Sequence, residues 1–139
     1  LVTRAAYQQF TSITTRWFDN DIYGHMNNAL HYQFFDTAVN GHLVETGVLD
    51  LHHGKTVFLV VETGCQYYSE LAFPDVITVG FKVSKLGNSS VRYEVALFRN
   101  DAESAASKGH FVHVNVDRGT RRPVPIGPFA REFLGRLMA

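Results

Sequence analysis

The sequence predicts an α+β fold: one long helix wrapped by a curved antiparallel sheet of about five strands. Three observations predict it. One long stretch carries apolar residues three and four apart, several later segments alternate apolar with polar residues, and the elements occur in a telling order. A strand comes first, the long helix follows, and four strands fill the second half. The 139 residues suit one domain over residues 1–139, with no repeat, low-complexity block or linker to divide it.

In the segment from Phe10 to Phe18, Ile13, Thr15 and Trp17 stand on alternate positions, as on a first strand. A polar turn containing Gly24 runs from Asp19 to Asn28. From Ala29 the period changes: Leu30, Phe34 and Ala38, then Phe35, Val39 and Leu43, recur at helical spacing until the pattern stops near Gly47. At 1.5 Å per residue such a helix would be roughly 28 Å long. Val57 to Val61 is a nearly unbroken apolar run, which predicts a strand buried on both faces. Ile77, Val79, Phe81 and Val83 alternate with Thr78, Gly80, Lys82 and Ser84, and Val91, Tyr93, Val95 and Leu97 with Arg92, Glu94, Ala96 and Phe98. Val112, Val114 and Val116 alternate with Phe111, His113 and Asn115. The link from Leu86 to Ser90 has the composition of a hairpin turn. A second helix is expected from about Pro128 to Met138. A sheet covered on one face only would leave an apolar face or an edge strand exposed, so a homodimer is expected, or a homotetramer of dimers packed back to back.

The apolar fraction of 45% is enough for a sizeable core. Thirteen basic residues balance 13 acidic ones, so there is no electrostatic reason to expect nucleic acid or an anionic membrane as partner. A local basic cluster could still grip a phosphorylated small molecule. Cys65 is the only cysteine, which rules out an intrachain disulfide and favours a reducing compartment. No apolar run is long enough to span a bilayer, and the first residues do not read as a signal peptide. The cytoplasm is the expected location, and a start at Leu1 rather than Met leaves room for a longer natural N-terminus.

The stretch from Arg16 to Asn28 places two carboxylates, Asp19 and Asp21, in a turn that leads into the start of the long helix. Backbone N–H groups at a helix start have no intrahelical partner and carry partial positive charge. They suit a carbonyl oxygen that becomes negative during acyl transfer. A nearby carboxylate could attack that carbonyl or deprotonate a water. Gly24 would let the backbone approach a ligand closely. The plainer alternative is that Asp and Asn here are caps and that Gly only turns the chain.

The ordered motif Asp19-x-Asp21-x-x-Gly24-His25-Met26-Asn27-Asn28-Ala29, followed by Phe34-Phe35-Asp36-Thr37-Ala38, resembles the acyl-CoA thioesterases of the 4-hydroxybenzoyl-CoA thioesterase type. The resemblance spans nearly the whole chain. It implies the hotdog fold and hydrolysis of an acyl-CoA thioester to free acid and CoA. Asp21 matches the family's catalytic carboxylate, and Asn28 matches the residue whose backbone N–H holds the oxyanion. Either direct attack, giving a mixed anhydride, or activation of water fits Asp21. Thiolate, with a free pKa near ~8.5, leaves without a strong general acid. His25 is expected to orient the turn or hydrogen-bond to the substrate, and Asp19 to support the turn. Glu62, Thr63 and Gly64 match the strand that lines the site across the dimer interface in relatives, with Thr63 as positioning residue.

CoA needs basic and hydrogen-bonding groups at a pocket mouth. The turn Gly87-Asn88-Ser89-Ser90, flanked by Lys85 and Arg92, matches the family's contact with the nucleotide part. Arg121, with Arg118 and Arg122, is a second basic cluster, with solvated surface as its plainer reading. No cofactor is implied, because CoA is part of the substrate, and no metal. Two departures from the family stand out. Relatives often carry Arg or Lys in the turn where this chain has Asn and Ser. Many carry Tyr at the position of His31, which either packs, the favoured reading, or tunes substrate choice beside Tyr32, Phe34 and Phe35.

Rival chemistries have less to build on. His110 and His113 lie three apart on a strand, hence on opposite faces, and nothing completes a zinc set with them. Ser89 and Ser90 lack the setting of a nucleophile elbow. A hotdog dehydratase would pair His25 with Asp21, and a non-enzymatic acyl-CoA sensor would keep the pocket without a working carboxylate.

Overall fold

In the computed structural model, which describes residues 1–138, the chain forms β1 (Gln9–Thr14), α1 (Leu30–Glu45), β2 (Thr56–Tyr67), β3 (Val76–Leu86), β4 (Ser90–Arg99), β5 (Ser107–Asp117) and α2 (Pro128–Gly135). The five strands make one sheet in the order β1-β3-β4-β5-β2, every pair antiparallel. The long helix on a curved five-stranded sheet is as expected.

The two alternating patterns of β3 and β4 seat the core. Ile77, Val79, Phe81 and Val83 of β3, with Val91, Tyr93, Val95 and Leu97 of β4, are buried against Phe34, Phe35, Ala38, Val39 and Leu43 of α1. These α1 residues are the apolar stripe read from spacing, and the 16 residues of the helix span about 24 Å. Gly109 of β5 lets α1 come close, since a Cβ there would lie 2.5 Å from the Phe35 ring. Gly47, at φ +83°, turns the chain away just past the helix.

Three boundaries or faces differ from expectation, and a fourth, left open by the sequence, is settled. β1 ends at Thr14 instead of Phe18, because the Arg16 N–H is taken by Asp19 Oδ2 at 2.7 Å and residues Trp17–Asp19 wind into a 3-10 turn. The run Val57 to Val61 is not buried on both faces. β2 pairs only with β5, so its other edge is free, and Leu59, Val60 and Val61 are exposed. In β5 the core takes Phe111 and His113, while Val112 and Val114 lie half-buried on the opposite face. α2 stops at Gly135, short of Met138.

On the far face of the sheet, Tyr7, Ala96, Phe98 and Ala105 form a smaller cluster. Arg4 closes it, stacking 4.9 Å above the Phe98 ring while donating to the carbonyls of Ala102 and Asn100.

Candidate active site

The segment between β1 and α1 is a closed turn rather than a loose loop. Asp21 N–H donates to His25 O at 2.9 Å, Gly24 N–H donates to Asp21 O at 3.1 Å, and Asn20 bridges to Met26. Gly24 sits at φ +84° with open space where a Cβ would be, so conformation rather than crowding demands the glycine there. Two ties hold the turn to the loop between β2 and β3: Phe73 N–H donates to Asn20 Oδ1 at 2.9 Å, and Met26 N–H donates to Leu71 O at 2.6 Å. Met26 itself is buried in the core. Asp19 is the buried cap of the 3-10 turn, paired with Arg16 at 3.0 Å, and belongs to the scaffold.

Asp21 is partly exposed at the surface of this turn. Its Oδ1 accepts the Tyr23 N–H at 2.8 Å, which fixes the carboxyl plane. Among the described residues no group donates to Oδ2. Asp21 and Gly24 line a depression of about 540 Å³ with Trp17, Phe18, Asn20, Ile22, Tyr23 and Asn27. Its rim is apolar and unusually bare: Trp17, Phe18, Ile22 and Tyr23 all stand out, Phe18 by 94%.

The start of α1 lies just beyond. Asn27 Oδ1 accepts the Ala29 N–H at 2.9 Å, and its carbonyl accepts the Leu30 N–H at 2.9 Å. The Asn28 N–H donates to no acceptor among the described residues and remains available. The Asn28 carbonyl accepts the Tyr67 hydroxyl at 2.8 Å. Asn28 lines a second depression of about 260 Å³ with His25, His31, Tyr67, Glu70 and Leu71. Residues 24–28 contribute to both concavities: Gly24 and Asn27 line the one that holds Asp21, and His25, Met26 and Asn28 line the other.

The His25 ring donates from Nδ1 to Met26 O at 3.1 Å, and its Nε2 faces Glu70 at 3.8 Å. That hydrogen bond, aided by the nearby Asp21 and Glu70 carboxylates, raises its pKa above the usual imidazole value. His31 is 2% exposed, and its Nδ1 lies 2.8 Å from Ser107 Oγ. Burial pushes its pKa down to about 4, so the ring is neutral near pH 7. It packs, as favoured from sequence, yet it also lines the second depression.

Thr63 lines neither depression; its hydroxyl donates to the His110 carbonyl at 3.0 Å on β2, the exposed edge. The hairpin Gly87-Asn88-Ser89, with Ser90 opening β4, is held from beneath by Arg131, which donates to the carbonyls of Gly87 and Asn88 at 2.5 and 3.0 Å. Arg131 drew no notice in the sequence, because only the packing of α2 brings it to the turn. Lys85 is exposed beside Arg92 in register. Arg92 is occupied by Glu94 at 2.8 Å and Glu62 at 3.4 Å, a pairing that takes up its charge on the sheet face. Arg118 is likewise spent on the carbonyls of Asp50, Leu51 and His52. Arg121, at φ +64°, and Arg122 stay exposed in the turn after β5. His110 and His113 do point to opposite faces, His110 to Glu62 at 3.1 Å and His113 into the core. Among the described residues no group of three or more His, Cys, Asp or Glu side chains is placed to hold a metal ion, and no helix is long and apolar enough to cross a membrane.

Comparison with known proteins supplies a context for this geometry. The model of the thioesterase-like superfamily matches residues 15–134. The PA5185 protein from Pseudomonas aeruginosa strain PAO1 is similar over 99% of this chain and 96% of its own, at 49% identity and a TM-score of 0.96. PA2801 from Pseudomonas aeruginosa, for which a thioesterase activity has been put forward, matches at 26% identity with a TM-score of 0.85, over 92% of this chain and 98% of its own. The BH1999 gentisyl-coenzyme A thioesterase shares the fold at 22% identity, with a TM-score of 0.80 over 91% of this chain and 99% of its own. No curated protein sequence matches the chain.

Proposed function

The chain belongs to the thioesterase-like superfamily and is a thioester hydrolase of the hotdog fold, and from that premise we propose that it cleaves acyl-CoA thioesters with Asp21 as the catalytic carboxylate. One observation carries the reading. A single closed turn presents a carboxylate with one oxygen unclaimed and leads directly to a helix start whose Asn28 N–H is unclaimed as well.

The chemistry follows from those two groups. The Asn28 N–H, with the partial positive charge of the α1 start, receives the thioester oxygen as it becomes negative. Asp21 Oδ2 then acts by one of two routes. As nucleophile it bonds to the carbonyl carbon and expels CoA thiolate, leaving a mixed anhydride that water opens to free acid and Asp21. As general base it takes a proton from the water that attacks the same carbon, and the thiolate again departs. Gly24 and His25 shape the turn that holds this carboxylate.

A homodimer joined along the free edge of β2 completes this reading. Leu59, Val60 and Val61 are exposed on that edge, and the apolar rim around Asp21 lacks a cover within one chain. A second copy would bring its Thr63 toward the site as a positioning group. The nucleotide part of CoA is assigned to the Gly87-Asn88-Ser89-Ser90 turn with Lys85, and to Arg121. Arg92 is a weaker candidate, because Glu62 and Glu94 already neutralise it. The half-buried free thiol of Cys65 suits a reducing compartment, for which the cytoplasm is the natural choice.

The test is release of free thiol from a panel of acyl-CoA thioesters, from short saturated chains through long ones to benzoyl-CoA and phenylacetyl-CoA. Turnover of at least one is expected. Binding across the panel without thiol release would identify a sensor instead, and neither binding nor release would remove acyl-CoA as the substrate class.

A further inference from the structure

We propose that Tyr67 is a positioning residue for the reaction: its hydroxyl straps the first turn of α1 to the edge strand β2 and so holds the Asn28 N–H at the angle that receives the thioester oxygen. The proposal rests on the reading of Asn28 as the oxyanion donor.

Four contacts, linking the start of α1 with β2 and β5, build the strap. The Tyr67 hydroxyl donates to the Asn28 carbonyl at 2.8 Å, joining residues 39 positions apart. The same carbonyl accepts the His31 N–H at 3.3 Å, so it is gripped from inside the helix and from β2 at once. The Tyr67 ring stands edge-on to the His31 ring, with centroids 4.8 Å apart and planes at 87°. His31 in turn is buried, with Nδ1 2.8 Å from the Ser107 hydroxyl on β5. Ser107 and Tyr67 face each other across the β2–β5 ladder, so the sheet register itself sets the strap.

The first turn needs such support. Ala29, the residue capping α1, makes no side-chain capping bond, and among the described residues the only side chain accepting from this turn is Asn27, through the Ala29 N–H. Helix ends fray when nothing beyond the helix holds them. A donor that must meet a developing oxyanion loses its value quickly when it wanders, since a displacement of about 1 Å can cost on the order of 10²-fold in rate. The Tyr67 hydroxyl, aimed at the Asn28 carbonyl, also lies beside the Cys65 thiol and the Tyr32 hydroxyl.

Tyr67→Phe tests the strap, because it keeps the ring against His31 and deletes the one oxygen that reaches the Asn28 carbonyl. The full chain is assayed with whichever panel acyl-CoA the wild type turns over fastest, alongside Asp21→Asn. The expected result for Tyr67→Phe is a kcat reduced about tenfold with KM held within about twofold, the signature of support given in the transition state. Hydrogen exchange should quicken over residues 28–32 and stay unchanged in β3 and β4. Wild-type kcat, or a raised KM at unchanged kcat, would overturn the strap, as would unchanged exchange at the start of α1. If Tyr67→Phe is unaffected while Asp21→Asn is inactive, only the strap falls. If Asp21→Asn is as active as wild type, or no panel member is hydrolysed by the wild type, the underlying reading falls and takes the strap with it.

Discussion

His31 and His113 are two histidines placed where water does not reach, and each carries its cost in protons. Burial pushes both pKa values down to about 4, whereas the unfolded chain takes up the proton near ~6.5. Between those values the unfolded state binds more protons, so stability rises with pH across that window. Their contribution is complete above about pH 6.5, falls as the pH drops toward 4, and levels off below it. The melting temperature measured by calorimetry should therefore decline from pH 7 to pH 4. His113→Phe should flatten that slope, since the ring lies among Phe58, Tyr93 and Phe111 and its Nδ1 has no partner among the described residues. A melting temperature constant across the window would contradict the neutral, buried assignment. Asp21 and Gly24 could be singled out in the sequence because their chemistry is local, made by a turn of a few residues. Tyr67 and Arg131 could not, because their contacts depend on strand register and helix docking across 39 and 44 positions.

At the scale of elements, α1 was legible because one apolar stripe repeats over its full length, and β3 and β4 because alternation marks the set of residues turned to the main core, even where Ala96 and Phe98 are buried on the other face. The failures have a common cause. An apolar run such as Val57 to Val61 reports hydrophobicity but not neighbours, and strand order alone decides that β2 is an edge. The free edge of β2 leads to a prediction. Its unpaired backbone groups and exposed Leu59, Val60 and Val61 invite a second β2. Sedimentation equilibrium should find the wild type as a dimer or a multiple of it, and Val61→Lys, which puts a charge on that edge, should shift it toward monomer and lower turnover together. A wild type that is monomeric and fully active would refute the shared edge.

Taken as a whole molecule, the protein divides its labour between a sheet that supplies rigidity and a short turn that supplies chemistry. Residues 24–28 join the carboxylate to the helix start, and the turn is anchored to the loop before β3 and to β2. Within one chain the apolar rim around Asp21 remains open. The general activity could be inferred from the ordered motif, whereas the acyl group could not, because the concavity at the helix start is lined by two separate segments, 25–31 and 67–71, that only the fold brings together. If the Asp21 carboxylate performs the hydrolysis, Asp21→Asn removes it. Asn keeps an oxygen for the Tyr23 N–H, so the turn and the melting temperature should be preserved. The thiol-release rate on the best acyl-CoA should drop by ~10²–10⁴-fold, the range for losing a positioned acid–base group. A folded Asp21→Asn protein that releases thiol at the wild-type rate would contradict the account.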